Sequence, residues 1–118
     1  MRKTAGLLLF LSLTFALSSC TIERRKSDAE LGLNAQQSTG RGIFDNRCAR
    51  CHEAYSRKDL QGPSLKALFK KPYMSNGLPA NDDRVKELIR YGRSKMPAYG
   101  QILDQQQLED LMAYLHTL

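Results

Sequence analysis

The chain has little of what catalytic and metal sites are built from. Among 118 residues there are two histidines and three cysteines. With His52 placed directly after Cys48 and Cys51, only His116, in the last turn of the chain, is left over, and no Ser-His-Asp pattern stands out around it. The longest apolar run, Ala5 to Leu17, is 13 residues, short of the ~20 that a bilayer-spanning helix needs. No stretch alternates apolar and polar residues with period two, so no strand is expected, and no internal repeat is present. Three cysteines in an exported chain cannot all pair with one another.

The first twenty residues, MRKTAGLLLFLSLTFALSSC, open with Arg2 and Lys3, continue through the apolar run, and end in small residues before Cys20. This is the order of an export signal. Leu17-Ser18-Ser19-Cys20 resembles the bacterial lipobox, in which the cysteine is acylated and becomes the first residue of the mature protein. Residues 1–19 then form a lipoprotein-type signal peptide. The alternative is ordinary cleavage near Ser18 or Ser19, which leaves Cys20 as a stray thiol in an oxidising compartment. Loss of Arg2 and Lys3 with the signal leaves 16 basic against 12 acidic side chains. That mild excess favours solubility and attraction to acidic partners, and gives no footprint for nucleic acid.

Residues 20–38 read as a polar tether from Cys20, about 20–25 Å long as a flexible coil; the folded domain is expected over 39–118. Ser38 or Thr39 is the expected cap of a first helix through GRGIFDNRC, with Ile43 and Phe44 on its apolar side and Arg41 and Arg47 towards solvent. Gly62 and Pro63 mark a turn, and a short helix is expected in SLKALFKK. Asn81 caps a further helix, with Asp82 and Asp83 in its first turn and Val85, Leu88 and Ile89 as its apolar stripe, ending at Gly92. Asp104 and Gln107 form a capping-box pattern for a last helix, along which Leu108, Leu111, Met112, Leu115 and Leu118 recur at helical spacing.

Cys48-Ala49-Arg50-Cys51-His52 admits three chemistries. A thioredoxin-like dithiol needs a βαβ frame, and no strands are expected here. Structural zinc needs four ligands, and beyond the motif only His116 and Cys20 remain. Covalent c-type haem needs just this motif: two thiols form thioethers with the haem vinyl groups, and the next residue offers an imidazole to the iron. For the opposite axial position the candidates are Met74, Met96, Met112 and His116. Met112 lies on an apolar helix stripe, His116 in a last turn and Met74 in a polar loop. Met96 is the choice, because Pro97 keeps it out of helical geometry and stiffens the loop KMPAYG that presents its sulfur.

With these motifs in order, the chain from Thr39 onward resembles a class I monohaem cytochrome c of bacterial type. GRGIFDNRCARCH matches the family opening, GPSL the turn after the haem motif, MPAYG the distal methionine loop and LEDLMAYLHTL the terminal helix. The resemblance implies an all-α fold, about four short helices wrapped round one covalently attached haem c. It also implies that the Pro63 carbonyl accepts a hydrogen bond from His52, and that Gly40 and Phe44 pack against Leu111 and Tyr114 where the first and last helices cross. It implies His52 and Met96 as axial ligands and one-electron transfer rather than enzymatic turnover, with no small-molecule substrate. The expected protein is thus an electron carrier held by lipid to the periplasmic or extracytoplasmic face of a membrane, meeting redox partner proteins with acidic docking surfaces. The alternatives are a haem enzyme, gas-binding protein or redox sensor with a displaceable methionine, and an electron-transfer subunit of a larger membrane oxidoreductase.

Overall fold

The computed structural model describes residues 25–118. Three α-helices are present among these residues: α1 (Ala35–Arg47), α2 (Asp82–Tyr91) and α3 (Gln105–Leu115), with a single 3-10 turn at Leu68–Lys70. Two isolated bridges, Tyr73 with Pro79 and Arg93 with Met96, are the only β pairing among the described residues. The domain is all-α. Among the described residues no helix is long and apolar enough to cross a membrane. The expected signal peptide over residues 1–19 and the expected lipidation site, Cys20, lie outside the described residues.

Helices α2 and α3 begin where their local chemistry directs. The Asn81 side chain accepts the Arg84 N–H at 3.0 Å, and Asp82 and Asp83 stand at the positive end of α2. Gly92, at φ 68°, closes α2 by donating its N–H to the Leu88 carbonyl, in a positive-φ conformation for which glycine carries no steric penalty. In α3 the box is complete: Asp104 accepts the Gln107 N–H at 2.8 Å, and the Gln107 side chain accepts the Asp104 N–H at 3.0 Å.

Helix α1 starts earlier than Ser38 or Thr39. Asn34 and Gln37 form a second capping box, each side chain accepting the other's N–H at 2.9 Å, so two orphan donors are satisfied there and Ser38 and Thr39 fall inside the helix. The preceding segment also folds back. Leu33 packs on the core, Asp28 pairs with Arg41, and Arg41 Nη2 donates to the Lys26 carbonyl at 2.6 Å. Arg41 is consequently 6 % exposed rather than facing solvent. Its charge is tolerated because a carboxylate and a carbonyl replace water around the guanidinium. Ordered structure therefore includes much of the segment expected as tether.

The core forms where α1 crosses α3. A Cβ on Gly40 would lie 1.8 Å from the Asp110 carbonyl oxygen and 2.9 Å from Tyr114 Cβ, so the two backbones touch at that point. Phe44, Leu111 and Tyr114 are the largest fully buried side chains. The Phe44 and Tyr114 rings sit 5.4 Å apart at 55°, the tilted arrangement that aromatic quadrupoles favour. The buried Tyr114 hydroxyl finds its partner in Tyr55 OH at 2.6 Å. Burial and that hydrogen bond both push the Tyr114 phenol upward, so it stays neutral and packs as an uncharged ring.

Candidate functional site

Helix α1 delivers the cysteines. Past Arg47 the chain makes one tight turn, with the Cys51 and His52 N–H groups both donating to the Cys48 carbonyl at 2.9 Å. Cys48 is followed within this turn by Cys51 and then His52, so the three side chains leave adjacent positions of a single coil. The segment after it is stitched back by Gly62 N–H to the Cys51 carbonyl and Leu65 N–H to the Glu53 carbonyl, each at 2.8 Å.

That stitching orients the imidazole. His52 Nδ1 lies 2.8 Å from the Pro63 carbonyl oxygen. A carbonyl can only accept, so Nδ1 carries the proton and the Nε2 lone pair is free for a metal. Gly62 lies against the ring, where a Cβ would approach His52 Cε1 to 2.5 Å and Nδ1 to 2.9 Å. The sequence marks Gly62 only as turn punctuation; its absent side chain in fact makes room for the imidazole.

His52 and Cys48 line a cavity of about 710 Å³. Phe44, Leu68, Val85, Ile89, Leu111 and Leu115 also face it, and each of them belongs to the hydrophobic core. The core is thus organised round a largely apolar cleft open to the surface on one side, of the size that ligand and cofactor sites have. Burial pushes the Cys48 thiol up to about 11, so it is neutral at physiological pH. Among the described residues no group of three or more His, Cys, Asp or Glu could hold a metal ion. An apolar slot edged by a protonated thiol and an oriented imidazole fits a flat, largely apolar, iron-bearing group such as haem.

The four candidate axial side chains separate in space. Met96 and Met74 both line the cavity. Met112 is 2 % exposed within the core and does not line it. His116 is turned away, with Nε2 at 2.8 Å from Asp82 and its ring stacked on Phe69 at 4.0 Å. Met74 reads in the sequence as part of an ordinary polar loop. Its place at the cavity is set by a turn in which Met74 N–H donates to the Leu78 carbonyl at 2.8 Å and Gly77 N–H to the Met74 carbonyl at 2.9 Å.

The Met96 loop is the more tightly held. Arg93 and Met96 exchange both backbone hydrogen bonds, at 3.1 and 2.9 Å, round a turn with Ser94 at φ 52°. Tyr99 N–H donates to the Ile89 carbonyl at 2.9 Å and Gly100 N–H to the Arg90 carbonyl at 3.0 Å, fixing the loop to the end of α2. Gly92 lies beneath it, where a Cβ would sit 2.4 Å from the Met96 carbonyl oxygen. The Tyr99 hydroxyl, its pKa raised chiefly by burial, donates to the Arg47 carbonyl at 2.9 Å. The sequence reading assigns Tyr99 no part; the polar atom it adds at the base of the loop is the signal that could have marked it.

Fold and site together define a small helical domain with one largely apolar cleft, suited to a flat apolar cofactor, beside a thiol-thiol-imidazole turn. Residues 35–115 match the family described as cytochrome c oxidase, cbb3-type, subunit III. The chain is 31% identical over 83 residues to a cytochrome c6 of Rippkaea orientalis, covering 70% of this chain and 71% of the relative. It is 28% identical over 108 residues to a cytochrome c6-like protein of Nostoc sp., covering 92% of this chain and 86% of the relative. It is also 28% identical over 89 residues to a cytochrome c6 of Cladophora glomerata, covering 75% of this chain and 90% of the relative. No solved structure matches significantly. The chain belongs to the cytochrome c family through its cbb3-type subunit III domain, and is a monohaem c-type cytochrome that carries electrons rather than an enzyme.

Proposed function

We propose that this protein is a lipid-tethered one-electron carrier in which Cys48 and Cys51 hold haem c covalently and His52 and Met96 are its axial ligands. The observation that carries the reading is the shared cavity: one space is bounded by Cys48, by His52 with its free Nε2, and by Met96 on a loop bound at several points to α2. Bound haem supplies a ferric/ferrous couple that accepts and returns one electron.

The protein residues do the rest. The Pro63 carbonyl holds the proton on His52 Nδ1, which fixes the ring plane and keeps Nε2 a good donor. A methionine sulfur opposite a histidine raises the reduction potential. The hydrogen bonds from the loop to the end of α2 would restrain that sulfur at the cavity. Phe44, Leu68, Val85 and Leu111 exclude water from the cavity wall. Lys71, Arg93 and Lys95 are exposed residues that line the cavity, with Tyr73 at 61 % exposure beside them. A basic rim with an exposed aromatic suits brief encounters with redox proteins that present acidic surfaces.

For the membrane, the supporting features are the export signal and the lipobox-like LSSC ending at Cys20. Because Arg25 already pairs with Asp45 of α1, the reach from Cys20 to the folded domain is at most about 18 Å, taking ~3.3–3.6 Å per extended residue. The carrier would be held close to the extracytoplasmic face.

Met96→Ala in the haem-loaded protein is expected to abolish the ferric sulfur-to-iron charge-transfer band, while Met74→Ala leaves it intact; the reverse pattern would reassign the ligand to Met74. Cys20→Ala is expected to move the protein from the membrane fraction to the soluble one, and unchanged sedimentation with membranes would reject the anchor.

A further inference from the structure

Most bonds that hold the Met96 loop run to the loop itself or to α2. The Arg93–Met96 exchange closes the loop on itself, and the Tyr99 and Gly100 N–H groups donate to Ile89 and Arg90 of α2. The Tyr99 hydroxyl is different, because its acceptor is the carbonyl of Arg47, the last residue of α1 and the neighbour of Cys48. Among the described residues it is the one hydrogen bond joining residues 93–103 to residues 47–52. The two segments that face one cavity, the thiol-imidazole turn and the methionine loop, are thus tied by a single hydroxyl.

The acceptor suits the role. Helix-end carbonyls lack an i+4 donor, and the Cys51 N–H that could have reached Arg47 donates to Cys48 instead. The phenol therefore meets an otherwise unsatisfied oxygen, and its loss leaves that oxygen without a protein partner. The other fastenings leave a path for movement, since the loop departs from α2 through Gly92 and Ser94, both with positive φ, where a change of backbone direction is confined to few residues.

We propose that Tyr99 is a positioning residue, a latch whose hydroxyl holds the Met96 loop closed against the α1 end and so governs how readily an outside ligand gains the distal side of the cavity. The inference rests on Met96 as distal ligand. It assigns control of that ligand's displacement to a residue that does not itself need to touch the cofactor. In the closed loop, Met96 and the outside ligand compete for one position. Weakening the closed state by one hydrogen bond shifts the competition towards the outsider by the same factor.

The test is an imidazole titration of the ferric, haem-loaded protein, followed optically, for wild type, Tyr99→Phe and Met96→Ala, with thermal unfolding of each in parallel. Tyr99→Phe keeps the ring and removes only the oxygen. It is expected to bind imidazole about three- to tenfold more tightly, the range for losing one ordinary hydrogen bond, while retaining the sulfur-to-iron band in the absence of imidazole. An affinity within about twofold of wild type, even with a lowered unfolding midpoint, overturns the latch, since it marks a contact that stabilises the fold without controlling the loop. Met96→Ala separates the two levels. If it binds imidazole much more tightly than wild type while Tyr99→Phe does not, the latch alone falls; if Met96→Ala behaves as wild type, the ligand assignment falls and the latch with it.

Discussion

Serine at both Cys48 and Cys51 is expected to yield a chain that carries no covalent haem and does not fold cooperatively. The reason lies in the double duty of the core. Phe44, Leu68, Val85, Ile89, Leu111 and Leu115 are core residues that also form the cavity wall. Without a filling group their inner faces meet water or a void, and either forfeits the burial, ~1.5–3 kcal/mol per large apolar side chain. Domains of this size are stable by only ~5–15 kcal/mol, so a few such losses remove the folded state. Expression with haem maturation machinery should give a colourless polypeptide of unmodified mass, with weak far-UV helical dichroism and no unfolding transition. A cooperatively unfolding, haem-free double mutant would show that the helices need no cofactor. The single variants should retain one thioether each and fold, with lower unfolding midpoints than wild type.

Gly40→Ala is expected to destabilise the haem-loaded protein by about 3 kcal/mol or more, near the upper end of overpacking effects. Two effects oppose each other. Alanine is the better helix former by ~1 kcal/mol, and Gly40 lies within α1 at an ordinary helical φ. Against this, the new methyl would stand 1.8 Å from the Asp110 carbonyl oxygen and 2.5 Å from its carbon. Both atoms are backbone of α3, which no rotamer change can move. Relief requires the helices to separate, and separation uncovers Phe44, Leu111 and Tyr114, the largest fully buried side chains among the described residues. The steric term exceeds the propensity gain. Denaturant titration measures the difference, and a variant as stable as wild type would mean that α1 and α3 do not cross at this point. Gly42, on the same helix with open space where its Cβ would be, is the internal control. Alanine there should be neutral or slightly stabilising.

Signals carried by a few neighbouring residues are legible in the sequence. Asn81 before Asp82-Asp83 and the Asp104/Gln107 pair act through bonds three residues apart, so α2 and α3 start where the sequence places their caps. The start of α1 is not legible in the same way, although Asn34 and Gln37 form the same kind of box. They sit in a polar stretch without an apolar run to announce a helix, and Ser38 and Thr39 offer a competing cap. Arg41 reads as a solvent-facing residue because a charged side chain next to glycine resembles surface. Its burial depends on Asp28 and the Lys26 carbonyl returning from 13 and 15 residues away.

What the sequence by itself made legible is the motif Cys48, Cys51 and His52, the all-α class of the described residues, and the starts of two helices, because the motif and the caps each depend on residues a few positions apart along the chain. Only the tertiary structure decided which residues share the cavity. It brought Met74 to the wall beside Met96, withdrew Met112 and His116, and set the Tyr99 hydroxyl on a carbonyl 52 residues distant. These are outcomes of helix packing and loop closure, in which a residue's neighbours are chosen by how whole elements fit together rather than by what stands next to it in the chain.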